Sequence, residues 1–468
     1  MSHFVRASKY RHVFAETPKP ETCFTNIPTS STLGEQNYIK GNTKYMAVGI
    51  QGGGGQFAIL PYDTPKRFDR DSPVVSGHTK AVLDFDFSPF HEQIIASCSE
   101  DCTIKIWGIP EGGLTTKLKV PLVDLRGHAR KVTLLRFHPT ANNVLASVSS
   151  DTQIKLWDIE KSYEMSTFKD HSQIIQDIVW DHFGKMFATT SKDKFIRICD
   201  SRASIVAQSV PKAHEGARST KLTYLGSKDL LVSVGFTRQS QRQMKLWDPR
   251  QLATEIKRID IDQASGVLMP FYDEDTQILY LAGKGDGNIR YYEFVDENPW
   301  CFPISEYRSM TPAKGMAMVP KRGLNISKCE TARLLKLTSN SVEPLSFVVP
   351  RKADSFQDDI YPPTFAGVPS LTADEWLSGI DKEPVTMDLS PGAKKPALPQ
   401  PFKKSYEAFI GTGESTKAPF HTPASSIISD SDASIIAELD SELKAAHARI
   451  RLLEKIMKDS GMDVPHKS

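Results

Sequence analysis

The stretch Gly127–Asp158, GHARKVTLLRFHPTANNVLASVSSDTQIKLWD, opens on Gly-His and closes on Trp-Asp. Between them lie the apolar or β-branched runs VTLLRF, VLASVS and QIKLW, punctuated by Pro, Asn and Asp, which favour turns. Each run is too short for a helix and rich in β-branched residues, so the stretch reads as strands. A sheet this small cannot cover its own apolar faces and must stack on copies of itself.

Copies recur at fixed spacing. Counting back from Trp157, Asp151 lies at six residues, Ser147 at ten and His128 at twenty-nine; Asp101, Ser97 and His78 stand at the same intervals before Trp107. Cys199 has Asp193 at six and Thr189 at ten, with His171 at twenty-eight. Tyr292 keeps Asp286 at six, but Ala282 and Gln263 fill its other slots. Trp247 has Ser233 at fourteen and His214 at thirty-three, both four longer, which places a four-residue insertion in the hairpin GFTRQSQRQ and Gln241 at the expected Asp position.

The residue types explain the spacing. A carboxylate orients an imidazole, a hydroxyl bridges, and an indole N–H donates, so four buried polar side chains satisfy one another. A Ser/His/Asp catalytic triad is the competing interpretation, but a nucleophile need occur once and this set recurs in successive repeats. On this basis Asp151→Ala, which breaks a complete network, should cost more stability than Asp193→Ala. Intervals between the Trp-equivalent positions are 50, 42, 48 and 45 residues. The WD-repeat period is roughly 40–45 residues, and Lys40 to Pro350 has room for about seven such units, a count that closes a propeller ring. The fold class is therefore mainly β: a seven-bladed WD-repeat propeller, with an irregular C-terminal extension, a disordered linker and a C-terminal α-helical coiled coil.

Composition agrees. The chain has 468 residues, 39% of them hydrophobic, a net charge of +2 and six cysteines. That balance gives no field for nucleic acid, and sparse cysteines fit a reducing compartment. Cys98 and Cys102 lack a second pair for zinc, and no apolar run reaches the ~18 residues that span a membrane. No cofactor or metal is expected. QGGGGQ (51–56) and GKGDGN (283–288) lack the Lys-Ser/Thr of a phosphate loop and are taken as hairpin turns.

Residues 1–385 form the propeller with its extensions. Near the start, SKYRHVF is expected to be a strand that pairs with the last blade and removes a free edge. Beyond Pro350, Phe356, Tyr361 and Trp376 are expected to anchor an irregular extension on the propeller underside. Residues 386–431, rich in Pro, Ser, Lys and Ala, are read as a flexible linker. Residues 432–460 change period: Ile436, Leu443, Ile450 and Met457 recur every seven residues, with Leu439, Ala446 and Leu453 between them. This is a heptad seam, with Arg449 and Glu454 placed to pair between neighbouring helices in a trimer-favouring pattern. A helix docked on its own propeller is the alternative.

Several stretches carry a family likeness: SKYRHVF, GFTRQSQRQMKLWD, MVPKRGLNISKCETARLLKL, PLSFVVPRKADSFQDDIYPPT and LTADEWLSG. With the propeller and coil, the chain resembles a short coronin. That resemblance implies an actin-filament-binding protein of the cytoplasm and cell cortex, without catalysis, and contact with the actin-nucleating branching complex. With an oligomerising coil it implies filament crosslinking or bundling by a homotrimer. Many animal coronins carry an Arg just after the Cys…Ile element near the N-terminus, where CFTNIPTSS has Pro28. Arg11, Lys66, Arg67 and Arg70 are the candidates to supply that contact. A generic WD scaffold is the competing class.

Overall fold

The structure, a computed structural model, describes residues 7–30, 36–52, 54–63, 67–351 and 355–397. The chain divides between Gly411 and Thr412, and every described residue belongs to the first unit. The heptad seam from Ile436 to Met457 lies outside the described residues.

Alternating short apolar runs and turn residues produce seven four-stranded antiparallel sheets. Blade 1 is built from Ile39–Gly41, Tyr45–Gly49, Gln56–Pro61 and Val75–Ser76; blade 2 from Val82–Phe87, Ile94–Ser99, Thr103–Gly108 and Val123–Arg126. Blade 3 comprises Val132–Phe137, Val144–Ser149, Ile154–Asp158 and Tyr163–Phe168; blade 4 comprises Ile175–Trp180, Met186–Ser191, Ile196–Asp200 and Ile205–Val210. Lys221–Tyr224, Leu231–Phe236, Arg242–Trp247 and Lys257–Asp262 make blade 5, followed in blade 6 by Leu268–Asp273, Ile278–Gly283, Ile289–Phe294 and Cys301–Tyr307. Blade 7 takes Gly315–Met318, Glu330–Leu337 and Val342–Val348, and its outermost strand is Phe14–Glu16 from the N-terminus. The first strands of successive blades touch around the ring, and that of blade 7 returns to that of blade 1.

Closure by the N-terminal segment comes later in the chain than the sequence suggests. Phe14 pairs with Val348 and Glu16 with Ser346, whereas Tyr10 to Val13 forms a turn closed by Val13 N–H to Tyr10 C=O (3.0 Å). Tyr10 and Val13 both enter the core between blades 6 and 7. A spacing of three turns both inward in a bend, which alternation along a strand forbids.

Seven apolar clusters fill the molecule, one at each blade–blade interface. Neither blade face is self-sufficient, so burial between neighbours holds the ring. Inner-strand carboxylates add polar clasps: Asp84 accepts from Leu135 N–H (3.0 Å), Asp86 from Phe137 N–H (3.0 Å) and Asp177 from Leu222 N–H (2.9 Å). Each reaches into the next blade.

After blade 7 the chain crosses the face formed by the turns between first and second strands. Tyr361 is buried in the blade 6–7 cluster, with Phe356 stacked on it at 5.7 Å. Further on, Thr372 and Glu375 form a capping box on a short helix, Ala373–Leu377. The helix delivers Trp376, fully buried, to the blade 3–4 interface, where it meets His138 at 5.0 Å and donates to Gly184 C=O (3.2 Å). Burial pushes the His138 imidazole down to about 3. Thr386–Met387, the first residues of the segment expected to be linker, pair with Thr364–Phe365, so the extension runs at least to Met387.

Candidate functional site

In blades 2 and 3 the four-residue network is complete. His78 Nδ1 faces Asp101 (2.9 Å) and its Nε2 faces Ser97 Oγ (2.8 Å), to which Trp107 donates (2.8 Å). His128, Asp151, Ser147 and Trp157 repeat this at 3.0, 2.8 and 2.8 Å. The tryptophans are buried and the carboxylates lie at the mouths of the networks. Hydrogen bonding to His78 and Thr103 holds the Asp101 carboxyl well below its ordinary range, despite its partial burial. The arrangement is a set of internal clamps, with both ring nitrogens of His78 and of His128 engaged.

Blade 5 makes its clamp differently from the sequence expectation. Strand pairing sets Phe236 opposite Arg242, so the insertion is confined to the turn, and Gln243 rather than Gln241 reaches His214 Nδ1 (3.1 Å). His214 Nε2 still meets Ser233 Oγ (2.7 Å), with Trp247 donating to the same oxygen (2.8 Å). In blade 6, Asp286 has no histidine to orient and instead accepts from Arg242 of blade 5 (2.8 Å).

The basic candidates separate into two places. Arg11 is exposed at the Phe14–Val348 end of blade 7, next to Lys9, which donates to Asp359 C=O (2.8 Å). The chain then runs the length of that blade's outer edge. At the far end Phe24 bridges Val342, and Ile27 N–H reaches Asn340 C=O (2.9 Å). Here, on the opposite face, the Cys…Ile element meets the loop of Arg67 and Arg70. Thr25 bridges Arg67; Phe68 N–H donates to Thr25 C=O (3.0 Å) and Asn26 Nδ2 donates to Phe68 C=O (2.7 Å). Buried Phe68 pins this loop, leaving its arginines outside.

Pro28 and Arg70 consequently line one cleft of about 580 Å³, with Asn26, Gln51, Ser72 and Lys117. Arg67, 76% exposed, has only a loose contact with Asp69 at 3.8 Å, a surface pair that holds it weakly. Lys314 donates to Oγ1 of Thr29, the residue after Pro28 (2.9 Å). Lys66 lies outside the described residues. Lys117 and Lys314 were missed in the sequence because only folding brings their segments beside Pro28. The same face carries exposed Lys80, Arg130 and Lys192 on turns of blades 2 to 4. Such a surface suits an acidic macromolecule.

Among the described residues no His, Cys, Asp and Glu cluster of metal-binding size occurs, and no helix is long and apolar enough to cross a membrane.

These features define a WD-repeat propeller with a basic rim. WD-domain repeats match residues 71–108, 119–158 and 162–200, a further type of WD40 repeat matches 342–384, and a domain of unknown function (DUF1899) matches 3–67. Coronin-A of Dictyostelium discoideum is 51% identical over 404 residues, covering 86% of this chain and 90% of the relative. Coronin-2A of Mus musculus is 43% identical over 470 residues, 98% and 88% of the two chains. The crystal structure of the WD40 domain from Toxoplasma gondii coronin superposes with a TM-score of 0.78 at 33% identity, covering 83% of this chain and 99% of that one. The chain belongs to the coronin family.

Proposed function

We propose that the protein binds actin filaments through the face bearing the Pro28 cleft, and that it regulates the actin cytoskeleton of the cytoplasm and cortex as a binding protein without a catalytic step. Membership in the coronin family supplies the partner. The observation that carries the site is the convergence of Arg67, Arg70 and Lys117 around Pro28, where many coronins have an arginine. Actin filaments are acidic, so weakly held cations on an exposed rim give steering and part of the affinity. Arg11, at the opposite face, is the weaker candidate.

Crosslinking is assigned to the heptad segment, through Ile436, Leu439, Leu443, Ile450, Leu453 and Met457, with Arg449–Glu454 pairs between chains. Three propellers on one coil bridge filaments, and linked sites gain avidity that single sites lack. Contact with the actin-nucleating branching complex belongs to the same reading. Co-sedimentation with filaments tests the first part: binding that weakens with salt supports it, and a protein left in the supernatant at low salt sinks it. Sedimentation equilibrium tests the second, with an expected mass of about 156 kDa, three times 52.1 kDa.

A further inference from the structure

We infer that Ser72 is a site of proline-directed phosphorylation, and that its phosphate reverses the charge of the Pro28 cleft. Ser72 is followed by Pro73 and stands two residues after Arg70, in the long segment between the blade 1 strands Gln56–Pro61 and Val75–Ser76. It is half-buried at the rim. Its N–H closes a turn onto Asp69 C=O (3.0 Å), and its Oγ accepts from Asp69 N–H (3.0 Å), which uses a lone pair and leaves the hydroxyl proton uncommitted to that bond. The residue before a proline is biased to extended backbone, the shape in which kinases take a substrate serine. Ser88-Pro89, by contrast, has its serine buried, with Oγ turned to Phe90 and His91 N–H.

The consequence follows from charge. Of the side chains lining the cleft, Arg70 and Lys117 are cationic and Asp71 is anionic, a net of one positive charge. A phosphoserine brings about −1.5 to −2, enough to make the cleft negative. Transfer takes the γ-phosphoryl of ATP: the Ser72 Oγ–P bond forms, the bond to the β–γ bridging oxygen breaks, ADP leaves with that oxygen, and the hydroxyl proton passes to the kinase's base. The effect on filaments rests on the reading proposed above; the modification itself does not.

The test uses the full chain, a proline-directed kinase with ATP, and the variants Ser72→Ala and Ser72→Asp, with melts to confirm folding. Mass spectrometry is expected to find phosphate on Ser72. Phosphorylated parent and Ser72→Asp should bind a poly-glutamate probe at low salt about threefold or more weakly, while Ser72→Ala matches the unmodified parent. No phosphate on Ser72 overturns the inference, as does a phosphorylated Ser72 with unchanged probe affinity. If unmodified parent ignores filaments while phosphorylation still weakens probe binding, the filament reading fails and this inference stands.

Discussion

Blades 3 and 4 are neighbours of equal length, yet they spend their polar residues differently. In blade 3, Asp151 serves His128 and the N–H groups of Ala129 and Gln153. In blade 4 a cysteine stands in place of the tryptophan, and Asp193 has turned away from His171 to Arg197, contacting both terminal nitrogens at 3.2 and 2.8 Å. His171 keeps only Thr189 (2.9 Å), and its Nδ1 is buried without a partner. Both sheets form all the same. Apolar interfaces make the blade, and the polar set is free to be rewired provided each buried charge finds an opposite one.

The comparison makes an ordered set of predictions. Asp193→Ala is expected to be the most damaging, at about 3 kcal/mol, because it strands the nearly buried Arg197 guanidinium. Adding Arg197→Leu should restore much of the loss in a thermal melt. This reverses the order expected from spacing, in which the complete network of blade 3 was the costlier to break. Asp151→Ala leaves a neutral imidazole and two N–H groups short of an acceptor, for about 1–3 kcal/mol. If the melts rank Asp151→Ala above Asp193→Ala, the rewiring is not stabilising blade 4.

Acid tests His171 next. Burial and Arg197 depress the His171 imidazole to about 4, from an ordinary 6.5. The unfolded chain therefore binds a proton first: His171 contributes its full stability above pH 6.5 and loses it as pH falls towards 4. At pH 5 the loss is about 2 kcal/mol. Denaturant titrations of parent and His171→Gln should show a shallower pH slope in the variant between pH 7 and 5; equal slopes would contradict this. Smaller still, Gln243→Leu in blade 5 removes one neutral partner of His214, for about 1 kcal/mol by the same melts.

What the sequence disclosed follows from the same physics. Repeating spacings reported the blades because identical backbone geometry imposes identical intervals. Gln241 was counted into the carboxylate position because a linear count cannot see that the insertion stays within the turn. The strand expected from SKYRHVF appeared as Phe14–Glu16, since Tyr10 and Val13 were both needed in the core. The cleft was hardest to foresee: it draws on segments near Pro28, Gln51, Arg70 and Lys117, each unremarkable alone. Pro28 was visible as a departure from the family pattern and Arg67 and Arg70 as candidates, but Lys117 joins them only in the fold.

Arg67→Glu with Arg70→Glu should sit at the small end of the stability scale, within about 0.5 kcal/mol, because both side chains are exposed. The same variant should show the largest change in binding. Co-sedimentation of parent and double variant with actin filaments at low salt is accordingly the most direct test. The account predicts that the parent pellets with filaments and that the variant, with an unchanged melt, needs several-fold more filament to do so. A parent that stays in the supernatant, or a variant that pellets as well as the parent, would contradict it.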